Sequence, residues 1–157
     1  MPEYLSPGVY VEEMPSAAMP LEAVGTSSGP ATERAQERLL ELGYWLADAN
    51  GDYEKSTAQA VMAFQKYAGL ETDGVLGPIT AAALTEVSEH PTGRSTTGTL
   101  VEIDKSKQLV FIVQDGITRW ILNTSTGNGE EYTEPDHPVQ RAVRTAFEET
   151  TGQESPG

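Results

Sequence analysis

The sequence predicts a mainly α protein: a small three-helix domain flanked by an extended N-terminal arm and a short antiparallel β fragment. Three observations lead there. Apolar residues recur at helical spacing between Thr32 and Val87. Pro2, Pro7, Pro15, Pro20 and Pro30 interrupt the first 30 residues, which hold no Lys or Arg. After Leu100 the pattern shifts to strand-like runs around turn residues. The expected divisions are an arm over 1–30, the helical domain over 31–87, a linker over 88–97, an incomplete β fragment over 98–134, and an acidic amphipathic helix with tail over 135–157.

In the arm, Gly8-Val9-Tyr10-Val11-Glu12-Glu13 reads as a short strand of β-branched and aromatic residues. A lone strand leaves its amides unpaired, so Val9, Tyr10 and Val11 are expected to add to another sheet edge or remain disordered. In the helical part, Ala35, Leu39, Leu42 and Leu46 share a face behind Thr32 as N-cap. Ser56 or Thr57 caps a second helix facing Ala60, Val61, Phe64 and Tyr67. A third begins at Thr80, just after Pro78, and carries Ala83, Leu84 and Val87. Gly43 and Gly69 stand where helices end.

This part repeats internally. Asn50-Gly51-Asp52-Tyr53 leads to Thr57, and Asp73-Gly74-Val75-Leu76-Gly77 leads to Thr80. Further on, Leu100 to Asp104 and Leu109 to Val113 are strands around Lys105-Ser106-Lys107. Asp115-Gly116 then turns the chain into a partner strand, Thr118 to Leu122. The last helix places Val139, Val143 and Phe147 on one stripe, a cover for the sheet fragment.

Composition narrows the function. The 157 residues carry 10 Lys+Arg against 24 Asp+Glu, a net charge of −14, and no cysteine. Such a balance excludes nucleic acid and anionic membranes as partners. Zero cysteine removes disulfides, zinc-thiolate sites and a thiol nucleophile. Met1-Pro2-Glu3-Tyr4 opens without a basic or apolar stretch, so no signal peptide is expected and the chain is expected to be made in the cytoplasm.

Residues 35–87 resemble the peptidoglycan-binding type 1 domain. The resemblance is carried by Ala35-Gln36, Leu39, Leu42-Gly43-Tyr44, Asn50-Gly51-Asp52-Tyr53 and Thr57, then Ala60-Val61, Phe64-Gln65, Gly69-Leu70, Asp73-Gly74-Val75-Leu76-Gly77, Thr80 and Leu84. Glu54 departs from the glycine usual in that family. The resemblance implies a three-helix module that holds an enzyme on cell-wall glycopeptide. Residues 98–134 look like the opening of an L,D-transpeptidase catalytic domain, through Leu100-Val101-Glu102-Ile103-Asp104, Gln108-Leu109, Asp115-Gly116 and Asn123-Thr124-Ser125-Thr126-Gly127. That activity needs a thiolate, so none is expected here and no catalytic residue is assigned. Residues 1–28 are similar to the start of contractile-tail sheath subunits, which implies strand donation to sheath or tail neighbours.

The candidate peptidoglycan-binding residues are Tyr44, Trp45, Asp48, Asn50, Asp52, Tyr53 and Asp73. The three aromatic rings could stack on sugars, or complete a small core. The four polar residues could bond wall amides and hydroxyls, or their own turns. A calcium loop on Asp48-Asn50-Asp52 fails because Gln59 falls where a glutamate is required. His90 and His137 read as loop residues, and Ser125 lacks a nucleophile elbow. No metal or cofactor is expected. The sequence thus predicts a non-catalytic wall-binding module acting at the cell wall or on a phage-tail-like particle. The alternatives are a structural tail component without wall affinity and a transpeptidase remnant.

Overall fold

The computed structural model describes residues 3–6, 9–11, 19–125 and 138–152. In chain order these hold β1 (Glu3–Ser6), β2 (Val9–Val11), α1 (Pro30–Glu41), α2 (Lys55–Ala68), α3 (Pro78–Glu86), β3 (Leu100–Asp104), β4 (Leu109–Gln114), β5 (Ile117–Asn123) and α4 (Pro138–Thr151). "Mainly α" understates the sheet. Leu109, Phe111, Val113 and Ile121 join Leu39, Leu42, Tyr44, Phe64 and Leu84 in one continuous core. The three helices and the sheet therefore bury each other's apolar faces, and the β fragment is a packed layer.

The helices begin differently from the expectation. Gly29, Glu54 and Gly77 occupy the N-cap positions, and none makes a side-chain cap bond. Thr32, Thr57 and Thr80 instead sit at the third position of their helices, and all are buried. Their hydroxyls are used inward. Thr32 donates to the Ser27 carbonyl at 2.5 Å, and Thr57 and Thr80 accept from buried glutamines. Pro30 and Pro78 fit the first turns because amides there have no intrahelical acceptor. Gly69 ends α2 in the left-handed conformation, φ 74°, as its position implied. Leu46 lies outside α1 but is still a core residue.

The sheet runs β3-β4-β5, all antiparallel. Asp115 and Gly116, both at positive φ (51° and 78°), make the two-residue turn that matches strand twist. A Cβ on Gly116 would meet the Thr96 backbone at 2.2 Å, so only glycine fits where the chain crosses. Beyond β5, Gly43 to Trp45 adds a short parallel contact. The Ile121 amide donates to Gly43 at 2.7 Å, and the Trp45 amide donates to Ile121 at 3.0 Å. The helical layer is thereby bonded to the sheet through main chain. Lys66 of α2 adds to this, donating to the Gln108 and Thr124 carbonyls at 3.2 and 2.9 Å.

The stretch expected as a linker is pinned. Glu102 accepts from the amides of Arg94 and Ser95 and from the Ser95 hydroxyl, and the Gly93 amide donates to Thr118 at 2.9 Å. Arg38, 4 % exposed, reaches the carbonyls of Leu84 and Val87 at the end of α3, where a cation also meets the negative pole of the helix. On the far face of the sheet, Ala146 and Phe147 of α4 cover Val110, Ile112 and Leu122, the role foreseen for this helix. In the arm, β2 is not a lone strand. It pairs antiparallel with β1, two residues away, in the register Glu3↔Val11 and Tyr4↔Tyr10. The local hairpin supplies partners that a single strand would lack.

Candidate functional site

Two turns of the internal repeat are held by the same device. In the first, the Gln36 carbonyl oxygen accepts from the Gly51 amide at 2.7 Å, while its amide donates to Thr57 at 2.8 Å and to the Asp52 carbonyl at 2.9 Å. In the second, the Gln65 oxygen accepts from the Asp73 and Gly74 amides at 3.1 and 3.0 Å. Its amide group donates to Thr80, Asp73 and the Val75 carbonyl at 3.1, 2.8 and 3.2 Å. Both glutamines are essentially inaccessible. Each reads a glycine turn with its oxygen and a third-position threonine with its nitrogen, so turn and helix start are fixed together. Tyr53 links the two turns: its hydroxyl donates to the Gly74 carbonyl, and its amide donates to Ser28.

The expected site residues divide by location. Asp48, Asn50, Asp52 and Asp73 are exposed on the turns and Tyr53 lies partly buried between them. Asn50 and Asp73 are turn formers, as one of the two readings had it: Asn50 accepts from the Asp52 amide and Asp73 from the Val75 amide, each at 2.9 Å. Tyr44 does not join this group. At 1 % exposure its ring meets Phe64 edge-on, 5.6 Å between centroids, so no face is left for a sugar. Trp45 lies on the opposite side of the sheet from Tyr44, because successive side chains of an extended segment alternate. It is half-buried against the cluster that contains Val110, Ile112 and Leu122. Glu54 sits at φ −105°, a conformation open to any residue, so the missing glycine leaves the turn intact.

Electrostatics follow the turns. The Val75 amide, with Gln65, holds the Asp73 carboxyl below its ordinary range. Burial pushes the Tyr53 hydroxyl up to about 12, reinforced by the negative charge of Asp73. At Glu102 burial opposes ionisation, but the amide and hydroxyl donors of Arg94 and Ser95 outweigh it and the pKa falls. A shallow cleft of about 260 Å³ opens beside the first turn, lined by Gly29, Pro30, Glu33, Asn50, Gly51 and Asp52. This is a surface of carbonyls, carboxylates and amide groups suited to hydrogen bonding hydroxyls and peptide groups. Among the described residues no group of three His, Asp or Glu could hold a metal ion. His90 is a loop residue with Nδ1 at 2.9 Å from the Pro91 carbonyl, and Ser125 is exposed. His137 lies outside the described residues, as does the side-chain surface expected of Val9, Tyr10 and Val11.

Gln36 and Gln65 were not singled out as working residues. A glutamine precedes both turns, but its separation from the threonine it bonds is 21 residues in one repeat and 15 in the other. The unequal loops hide the equivalence.

Residues 28–84, the helical domain, match a family described as a putative peptidoglycan binding domain. This stretch begins slightly earlier than the expected 31–87 and ends three residues sooner. Two curated relatives from Bacillus licheniformis are each 39 % identical, the N-acetylmuramoyl-L-alanine amidase CwlL over 74 residues and a probable N-acetylmuramoyl-L-alanine amidase over 75. Each alignment covers 46 % of this chain but 21 % of the amidase, so the chain spans about a fifth of either relative. A solved structure, the L,D-transpeptidase from Xylanimonas cellulosilytica DSM 15894, is 47 % identical with a TM-score of 0.60. That likeness covers 76 % of this chain and 58 % of the transpeptidase chain. The relatives bear the names of enzymes, so the expectation that catalysis is excluded does not follow from them. The matched family is one of binding domains.

Proposed function

We propose that this chain is a non-catalytic module that binds peptidoglycan through residues 28–84 and acts at the cell wall. The match of that stretch to a putative peptidoglycan binding domain carries the reading. The geometry supports it: two clamped turns, joined by Tyr53, present Asp48, Asn50, Asp52 and Asp73 on a rigid base. Ordering loss on binding is small when the base is already fixed. The direct test is sedimentation with purified sacculi stripped of teichoic acid. The intact chain should pellet, and an Asp52→Ala, Asp73→Ala double variant should pellet less; recovery of the intact chain in the supernatant at low and moderate salt would refute the reading.

A second reading concerns the sheet, and the 47 % identity to an L,D-transpeptidase favours it. The resemblance over residues 98–134 reflects such a catalytic domain, of which the described residues 98–125 serve here as a structural layer. The thiolate chemistry has no nucleophile within these 157 residues, which lack cysteine. Muropeptide analysis after incubation with sacculi should find no new cross-links or cuts. Attachment to a contractile sheath rests on the residue pattern of 1–28; co-purification with sheath that depends on those residues is its test.

A further inference from the structure

The segment ahead of α1 lies across both clamped turns. Leu21 opens it, its amide donating to the Thr85 hydroxyl of α3 at 3.0 Å. Gly25 then meets Leu76, just past the second turn, through two antiparallel bonds in which each amide donates to the other's carbonyl at 2.9 Å. At the first turn the Gly29 amide donates to the Gly51 carbonyl at 2.8 Å, and the Tyr53 amide donates to the Ser28 hydroxyl at 2.9 Å. These last two bonds hold the residues on either side of Asp52. Each turn is thus gripped twice, by a buried glutamine from within and by residues 21–29 from outside.

The two grips differ in anchorage. Gln36 and Gln65 are sealed in the core, whereas Glu22, Ala23, Thr26, Ser27 and Ser28 are exposed. Leu21 and Val24 are the apolar anchors of the segment, each partly buried against the core. A segment with so little buried apolar surface opens at a lower free energy than the helices it crosses. Gly25 sets its bend at φ 65°, and a Cβ there would meet nothing within 4 Å, so backbone conformation and not space calls for glycine.

We infer that residues 21–29 are a strap whose closure sets the two binding turns, so that strap closure and wall binding are linked; this rests on the wall-binding reading above. Opening frees the Gly51 carbonyl, the Tyr53 amide and both backbone groups of Leu76, and the turns lose the outer half of their support. A ligand that engages the ordered turns therefore binds the closed strap better and, by reciprocity, holds it closed. Most of the strap, Gly25 included, precedes residues 28–84, so the matched stretch alone lacks this control.

Amide exchange on the full chain, with and without sacculus fragments solubilised by muramidase, reads the strap directly. The amides of Gly25, Gly29, Tyr53 and Leu76 should exchange faster than those of Leu39 and Phe64 in the free chain, and should slow together about tenfold or more at saturating fragment. Gly25→Val, which disfavours positive φ, should bind stripped sacculi about 3- to 10-fold more weakly while Leu39 and Phe64 keep their protection. Gly25→Asn, whose side chain tolerates that conformation, should recover most of the loss. The exchange arm needs no variant and decides even where Gly25→Val folds poorly. Binding by the parent chain without slowing at those four amides would overturn the strap and leave wall binding standing. Equal binding by a Gly25→Val chain whose strap amides have lost protection would do the same. No pelleting of the parent chain would instead remove the wall-binding reading, and the linkage with it.

Discussion

Replacing Gln65 with leucine keeps the volume of the side chain and removes every hydrogen bond of the second clamp. The buried Gly74 amide, bonded at 3.0 Å, loses its acceptor and costs about 1–3 kcal/mol. The part-buried Asp73 amide at 3.1 Å and the buried Thr80 hydroxyl at 3.1 Å each lose one ordinary hydrogen bond, about 0.5–1 kcal/mol each. The Val75 carbonyl at 3.2 Å and the exposed Asp73 carboxylate re-solvate at small cost. The sum is about 3 kcal/mol. For a chain of this size that lowers Tm by roughly 6–12 °C. Thermal and urea melts of Gln65→Leu against the parent measure it, with the urea slope unchanged if only the folded state has been weakened. A loss below about 1 kcal/mol would refute the clamp as a source of stability. Gln36→Leu removes the 2.7 Å bond from the Gly51 amide and should cost a comparable amount.

Tyr53 should give an alkaline transition: its folded pKa of about 12 lies above the ordinary 10.0, so its contribution is whole below pH 10 and lost as pH rises through 12. Tyr53→Phe should abolish that pH dependence in equilibrium melts, at the cost of the Gly74 bond. Glu102 acts with the opposite sign: its folded pKa lies below 4.5, so its contribution is present above 4.5 and lost on further acidification. Glu102→Gln should flatten the acid limb and free the Arg94 and Ser95 amides to exchange. Amide exchange over Leu109–Val113 should be among the slowest in the chain, because all five residues are buried between two layers. Exchange at the rate of an isolated hairpin would show that the sheet does not dock.

How much of this was legible depends on the range of the interactions. The helices were visible because Ala35, Leu39 and Leu42 in one stretch, and Ala60, Val61 and Phe64 in the next, recur at the spacing of a single helical face and glycines close the ends. The β4-β5 register was visible in Asp115-Gly116, whose conformation is set within four residues. The caps were misread because threonines near a helix start were assigned to the end itself. Their hydroxyls are instead engaged by Gln36 and Gln65 across the domain. The contact of Gly43–Trp45 with Ile121 was not legible, since nothing local marks a strand only three residues long. With it went the placement of Tyr44 and Trp45 on opposite faces, and so the choice between stacking and core for Tyr44. The candidate polar residues were legible as turns, while their grouping depends on Tyr53 reaching Gly74.

The central claim is that residues 28–84 hold the chain on the wall polymer. It is tested most directly by a binding isotherm of the intact chain on stripped sacculi, repeated after muramidase has solubilised them. The account predicts saturable binding to intact sacculi that is competed by the solubilised fragments. A supernatant fraction indistinguishable from that of an acidic protein of similar size and unrelated fold would contradict it.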